Sequence, residues 1–125
     1  MRSYLSMMRR YLDFEGRTRR RDLLRFAGIV LCLFLLAIVL DYVVFGRSAE
    51  QAGPLFLVVV LVHIAPGIAA CARRLHDTDR SARWLWLILS GVGLVPLGFW
   101  LLSPGDPEPN RFGPPLRLKR RILVL

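Results

Sequence analysis

The 125-residue sequence predicts an all-α, multi-pass membrane protein, and three observations carry that assignment. Hydrophobic residues make up 54% of the chain and its mean hydropathy is +0.45, above the range of soluble globular domains. Three apolar runs of roughly twenty residues are set apart by short charged or glycine-bearing connections, and that length matches a ~30 Å hydrocarbon core. The net charge of +9, from 18 Lys+Arg against 9 Asp+Glu, gathers beside those runs and does not form one soluble basic face. Such placement favours anionic lipid over nucleic acid as the partner of the cations.

In chain order, residues 1–14 place Met1, Tyr4, Leu5, Met8, Tyr11 and Leu12 at helical spacing opposite Arg2, Ser6, Arg9 and Arg10. This predicts an amphipathic helix in the headgroup region. Gly16 then breaks the helix, and Arg17, Arg19, Arg20, Arg21 and Arg25 lead into the first span, 26–45. No signal-peptide cleavage pattern follows that run, so it is expected to remain as a span. A turn at 46–53, with Arg47 its single cation, precedes the second span, 54–72. Pro66 predicts a kink there, and Ala65, Ala69 and Ala72 with Gly67 and Cys71 predict a small-residue packing face. Cys32 and Cys71 read as small apolar core residues with no metal-ligand spacing.

The third apolar segment, 84–102, carries Ser90, Gly91, Gly93, Pro96 and Gly98 at its centre, which makes it a kinked span or a re-entrant hairpin. A span leaves 12 cations inside and 6 outside, whereas a hairpin gives 17 and 1; the charge rule prefers the hairpin and the length of the run prefers the span. The kinked span is the expectation taken forward. Residues 103–125 are rich in proline and glycine and should be mostly extended, with a compact turn at 110–113 and a basic, partly apolar end. The organisation is thus one membrane domain, 1–115, with a basic tail, 116–125. Both the N-terminus and the 73–83 loop are expected in the cytoplasm.

Chemistry-bearing residues concentrate in the 73–83 loop. His76, Asp77 and Asp79 suggest metal ligands, but Arg73, Arg74, Arg80 and Arg83 leave the loop at a net +2, which repels a cation. No metal and no cofactor are expected. An anion fits better, because arginine forks bind phosphate and a helix starting near Asp79–Ser81 offers free N–H groups. The expected anion or partner contacts are Arg17, Arg20, Arg73, Arg74, His76, Asp77, Arg80, Ser81, Asn110 and Arg111. The competing reading is a structural network of Arg–Asp pairs and helix caps. An acid/base pair of His76 and Asp77 with Ser81 as nucleophile is a further alternative. Asp41 and His63 are the intramembrane polar residues; they could serve transport, or simply a helix–helix contact in which His63 meets a carbonyl freed by Pro66 or reaches Asp41.

The segments FEGRTRRRDLLRF, RRLHDTDRSARWLW and NRFGP, in that order with apolar runs between, resemble the small bacterial inner-membrane proteins of domain of unknown function 805. The pattern falls on Phe14, Gly16, Arg17 and Arg20, on Arg73 to Asp77 with Arg80, Ser81 and Trp84, and on Asn110 to Gly113. Leu24 and Arg83 stand where aromatic residues are usual, and GPPL replaces the usual GPDP. The resemblance implies a multi-pass protein of the bacterial cytoplasmic membrane and no defined reaction. The functional expectation is therefore a non-catalytic inner-membrane protein contacting anionic lipid headgroups, a membrane protein partner or further copies of itself. A small transporter component and a lipid-headgroup enzyme are the alternatives.

Overall fold

The computed structural model describes residues 2–46 and 53–116, which form helices and irregular connections. Helix α1, Arg2–Arg9, is shorter than the predicted 1–14. Asp13 stops it by an alternative to helical bonding: its carboxylate accepts from Arg10 Nε (2.7 Å) and from the Glu15 N–H (3.0 Å). Met7 is buried with Leu23, Phe26 and Ala70, with Tyr4 and Met8 packed against them. Ser3 Oγ donates to Asp22 Oδ1 at 2.9 Å and the Arg10 carbonyl accepts from Arg73, so α1 lies across one end of the helices that follow.

Helix α2, Arg20–Phe45, and helix α3, Pro54–His76, are both long and apolar enough to cross a membrane. Helix α2 begins inside the basic segment, six residues before the predicted span, and ends where the Gly46 N–H donates to the Tyr42 carbonyl at 3.0 Å in a left-handed turn. Helix α3 opens with Pro54 at its first position, where no backbone donor is needed, and runs through Pro66 without ending. It continues four residues past the predicted Ala72, and Arg73, Arg74 and His76 occupy its last turn, where cations suit the helix dipole.

Of the predicted small-residue face, Ala69 and Ala72 are fully covered while Ala65, Gly67 and Cys71 are half-buried; Ala70, outside the predicted set, is also fully covered, and α2 and α3 pack directly on each other. Outward-facing Leu31, Leu35, Leu36, Val39, Leu61 and Val62 remain exposed, an apolar surface far larger than water tolerates and suited to lipid. Cys32 belongs to this exposed surface, contrary to the expected core role, while Cys71 is partly buried.

The third apolar segment departs from the kinked-span expectation. A 3₁₀ helix, Ala82–Ser90, is followed by a turn and by helix α4, Leu94–Leu102, and the two pieces fold back on each other. At ~2.0 Å and ~1.5 Å rise per residue, neither nine-residue piece reaches across a ~30 Å core. The turn is made by the small polar centre of the run: Ser90 Oγ donates to the Leu87 carbonyl (2.7 Å) and accepts from the Gly93 N–H (3.0 Å), with Gly91 at φ 68°. Trp84 and Trp100, from opposite ends of the segment, meet edge to face at 5.2 Å between centroids. Chain entry and exit therefore lie at the same end. Beyond Leu102 the chain is irregular to Leu116, with a tight turn in which Asn110 and Gly113 exchange both backbone hydrogen bonds (3.2 and 3.0 Å). The 47–52 connection with Arg47 and the basic stretch 117–125 lie outside the described residues.

Candidate functional site

Three stretches far apart in sequence meet at the end of α3: the 16–19 loop, the last turn of α3 with residues 77–80, and residues 101–113. Asp77 is their junction. Its carboxylate accepts from Arg17 Nε at 2.8 Å and from Arg74 Nη1, and its carbonyl accepts from the Asp106 N–H at 2.8 Å. Arg17 spends its remaining donors on the carbonyls of Asp106 (2.6 Å), Glu108 (3.1 Å), Gly113 (3.3 Å) and Asp77 itself (3.3 Å). Arg74 donates to the carbonyls of Leu101 (2.8 Å), Ser103 and Thr18 (3.4 Å). The fit is close at Gly105, where a Cβ would stand 2.0 Å from an Asp77 carboxylate oxygen, so only glycine is accommodated.

Arg73 points toward α1. It donates from Nε to Thr18 Oγ1 (3.2 Å) and from Nη1 to the carbonyls of Arg10 (3.0 Å) and Asp13, while its own carbonyl accepts from the Thr18 N–H at 3.0 Å. Arg73 and Arg74 are 1% and 0% exposed. Their burial is tolerable because Arg73 donates to two carbonyls and the Thr18 hydroxyl and Arg74 to three carbonyls and the Asp77 carboxylate, whereas unpaired buried cations would cost several kcal/mol.

The predicted contact set thus divides. Arg17, Arg73, Arg74 and Asp77 are buried and bonded within the protein; Arg20 and Arg111 are exposed. Arg20 Nη1 donates to the Leu102 carbonyl at 3.1 Å, and Arg111 pairs with Asp79 at 3.2 Å. Arg80 lies over the Trp100 ring at 4.8 Å, and Ser81 Oγ caps the 3₁₀ helix by accepting from the Arg83 N–H (3.3 Å). Asn110 Nδ2 donates to the His76 carbonyl at 2.9 Å. The arginines expected at the centre of an anion site face inward because α3 extends through His76 and turns them onto neighbouring carbonyls.

The His76 ring stacks on Phe112, 3.8 Å between centroids and 2° from parallel, and its Nδ1 donates to the Gly16 carbonyl at 3.2 Å. The Asp77 carboxylate faces the two arginines, so it does not orient His76 as an acid/base pair requires. Ser81 is engaged as a cap. Among the described residues no group of three His, Cys, Asp or Glu side chains converges to hold a metal.

Asp41 and His63 do not meet. Asp41, 3% exposed, caps α3 from the neighbouring helix: its two oxygens accept from the N–H groups of Leu55 (3.1 Å) and Phe56 (2.9 Å). His63 Nδ1 donates to the Val59 carbonyl at 2.7 Å, one turn back, and not to a carbonyl freed by Pro66. Its Nε2 accepts from the Tyr4 hydroxyl at 2.8 Å, and Tyr4 stacks on Phe26 at 5.7 Å.

Not legible in the sequence were Thr18 and Asp106, whose backbone joins the network, Gly105, whose missing Cβ leaves room for the Asp77 carboxylate, and Tyr4 as the partner of His63. Thr18 and Gly105 carry no chemical motif. Tyr4 stood on the predicted apolar stripe of α1, and its hydroxyl was the available signal, since a buried tyrosine needs a polar partner.

Comparison with known proteins agrees with this architecture. Two inner membrane proteins of Escherichia coli (strain K12) are similar over nearly their whole length. YhaH is 33% identical over 122 residues, 93% of this chain and 97% of the relative. YhaI is 31% identical over 114 residues, 90% of this chain and 93% of the relative. No solved structure matches the chain. A model of the protein family of unknown function DUF805 matches residues 11–114, from the end of α1 through the Asn110–Gly113 turn that closes the arginine network, and the chain belongs to that family.

Proposed function

We propose that this is a non-catalytic inner-membrane protein whose basic end lies at the cytoplasmic surface and engages anionic phospholipid headgroups. The observation that carries the reading is the division of its arginines. Arg17, Arg73 and Arg74 lock the end of the bundle from within, while Arg2, Arg9, Arg19, Arg20, Arg21, Arg25 and Arg83 stand exposed around the same end. Exposed cations beside a bilayer attract anionic lipid by ~1 kcal/mol each, and a rigid platform keeps them at headgroup level. The returning third segment supports the cytoplasmic assignment, because it gives the strongest asymmetry of positive charge. In this reading α1 lies at the interface and the 82–102 hairpin enters the membrane without crossing it.

Energy transfer from Trp84, Trp86 and Trp100 to dansyl-labelled lipid tests it in reconstituted vesicles. Phosphatidylglycerol should exceed phosphatidylcholine in transfer, the preference should fall with added salt, and Arg19→Gln, Arg20→Gln and Arg21→Gln together should reduce it on the order of a hundredfold in relative affinity. Equal transfer from both lipids, or indifference to the triple substitution, rejects the reading. A carboxy-terminal reporter active only in the cytoplasm tests the sidedness separately.

A further inference from the structure

Two cavities share Ser3 of α1 in their lining. One, of about 400 Å³, is lined by five arginines and by Asp22 as its one carboxylate. Arg10 is offset by Asp13, Arg17 by Asp77, and Asp22 is held by Ser3 and Arg25, while buried Arg73 donates to internal carbonyls; Arg2 and Arg19, the latter with one amino group on the Leu116 carbonyl, are the exposed cations of the cleft that no carboxylate pairs. The other, of about 610 Å³, runs along the outer face of α2 past Arg25, Gly28, Cys32 and Leu36. The groove is apolar except at its mouth, where Arg25 and Ser3 stand beside the basic cleft. From Arg25 to Leu36 it spans about 16 Å, the depth of one leaflet of a ~30 Å hydrocarbon core. The groove is open beside Gly28, where a Cβ would meet nothing within 4 Å.

We propose that cleft and groove together hold one anionic phospholipid, its phosphate between Arg2 and Arg19 and one acyl chain against Gly28, Cys32 and Leu36 on α2. Charge complementarity selects a phosphate ester for the cleft, and the covalently attached chain accounts for a groove of leaflet depth opening from the same point. The proposal deepens the headgroup reading and rests on it, by naming a stoichiometric site within a generally basic end.

Native mass spectrometry of the full chain released from detergent micelles tests it, with phosphatidylglycerol, phosphatidylcholine and glycerol phosphate as probes. One phosphatidylglycerol should be retained per chain, with phosphatidylcholine retained on the order of tenfold less well and glycerol phosphate not at all. Gly28→Leu, which fills open space and favours the helix, should remove the retained lipid while leaving every arginine and the tryptophan energy transfer to anionic vesicles intact. Arg2→Gln with Arg19→Gln should weaken retention on the order of tenfold or more. In a Cys71→Ala background, labelling of Cys32 by maleimide should slow as phosphatidylglycerol is added. Retention unchanged by Gly28→Leu, equal retention of both lipids, or binding of glycerol phosphate alone would overturn the site. Loss of the vesicle preference with the single retained lipid still present would instead reject the general headgroup reading.

Discussion

Two buried aspartates sit at opposite ends of α3 and are stabilised in opposite ways. At the N-terminal end, Asp41 is compensated by backbone alone: two unpaired N–H groups of the first turn and the positive end of the helix dipole. At the C-terminal end, the dipole repels a carboxylate, so Asp77 requires two guanidinium groups, Arg17 and Arg74. Those same cations then satisfy carbonyls of residues 18, 101, 103, 106, 108 and 113. The comparison teaches that helix polarity decides how much tertiary structure a buried charge must recruit. Asp41 fastens two helices; Asp77 fastens the whole basic end.

Breaking the comparison begins at Asp77. Asp77→Ala strands two buried arginines and should lower stability by about 3–5 kcal/mol, read by denaturant titration in micelles. A loss below ~1 kcal/mol would show that water compensates those cations. Asp41→Ala should cost about 1–2 kcal/mol, the usual scale of a lost cap, and Gly53→Ala should cost a comparable amount because its Cβ would fall 2.0 Å from the Asp41 carboxyl carbon. Similar losses at Asp41 and Asp77 would dissolve the distinction. Tyr4→Phe leaves the His63 ring without its donor and should cost about 0.5–1.5 kcal/mol, with loosening of α1 visible as faster amide exchange over Arg2–Arg9.

The smallest effect belongs to the exposed Arg10–Asp13 pair. The hydrogen bond from Arg10 holds the Asp13 carboxyl below its ordinary value, so its contribution is present above pH ~4 and fades as the pH falls through the lowered folded value. Asp13→Asn should therefore change stability by no more than ~0.5 kcal/mol at neutral pH, and the difference should vanish in acid.

Legibility followed the range of the interactions. Helices α2 and α3 were readable because twenty apolar residues in succession satisfy their own backbone hydrogen bonds, and the alanine face announced its packing. Their ends were less readable: α3 runs on through Arg73–His76 because carbonyls from elsewhere take up those guanidinium groups. The charge pattern pointed to a hairpin at 84–102 while the length of the run pointed to a span, and the conflict was resolved by contacts between Trp84 and Trp100, sixteen positions apart. Of the loop residues that the sequence singles out, Arg74 pairs with Asp77 and Arg73 donates to the carbonyls of Arg10 and Asp13, partners that no local pattern names.

Composition and local pattern by themselves determined a helical membrane protein, two helices long and apolar enough to cross a bilayer, a basic end and the tight turn at 110–113, since hydropathy, charge and turn chemistry act over neighbouring residues. Only the tertiary structure decided which arginines are spent inside and which remain outside. Arg17 and Asp77 are separated by 60 positions and Arg74 and Ser103 by 29, and nothing in local sequence distinguishes a guanidinium that will meet a buried carboxylate from one that will meet solvent or lipid.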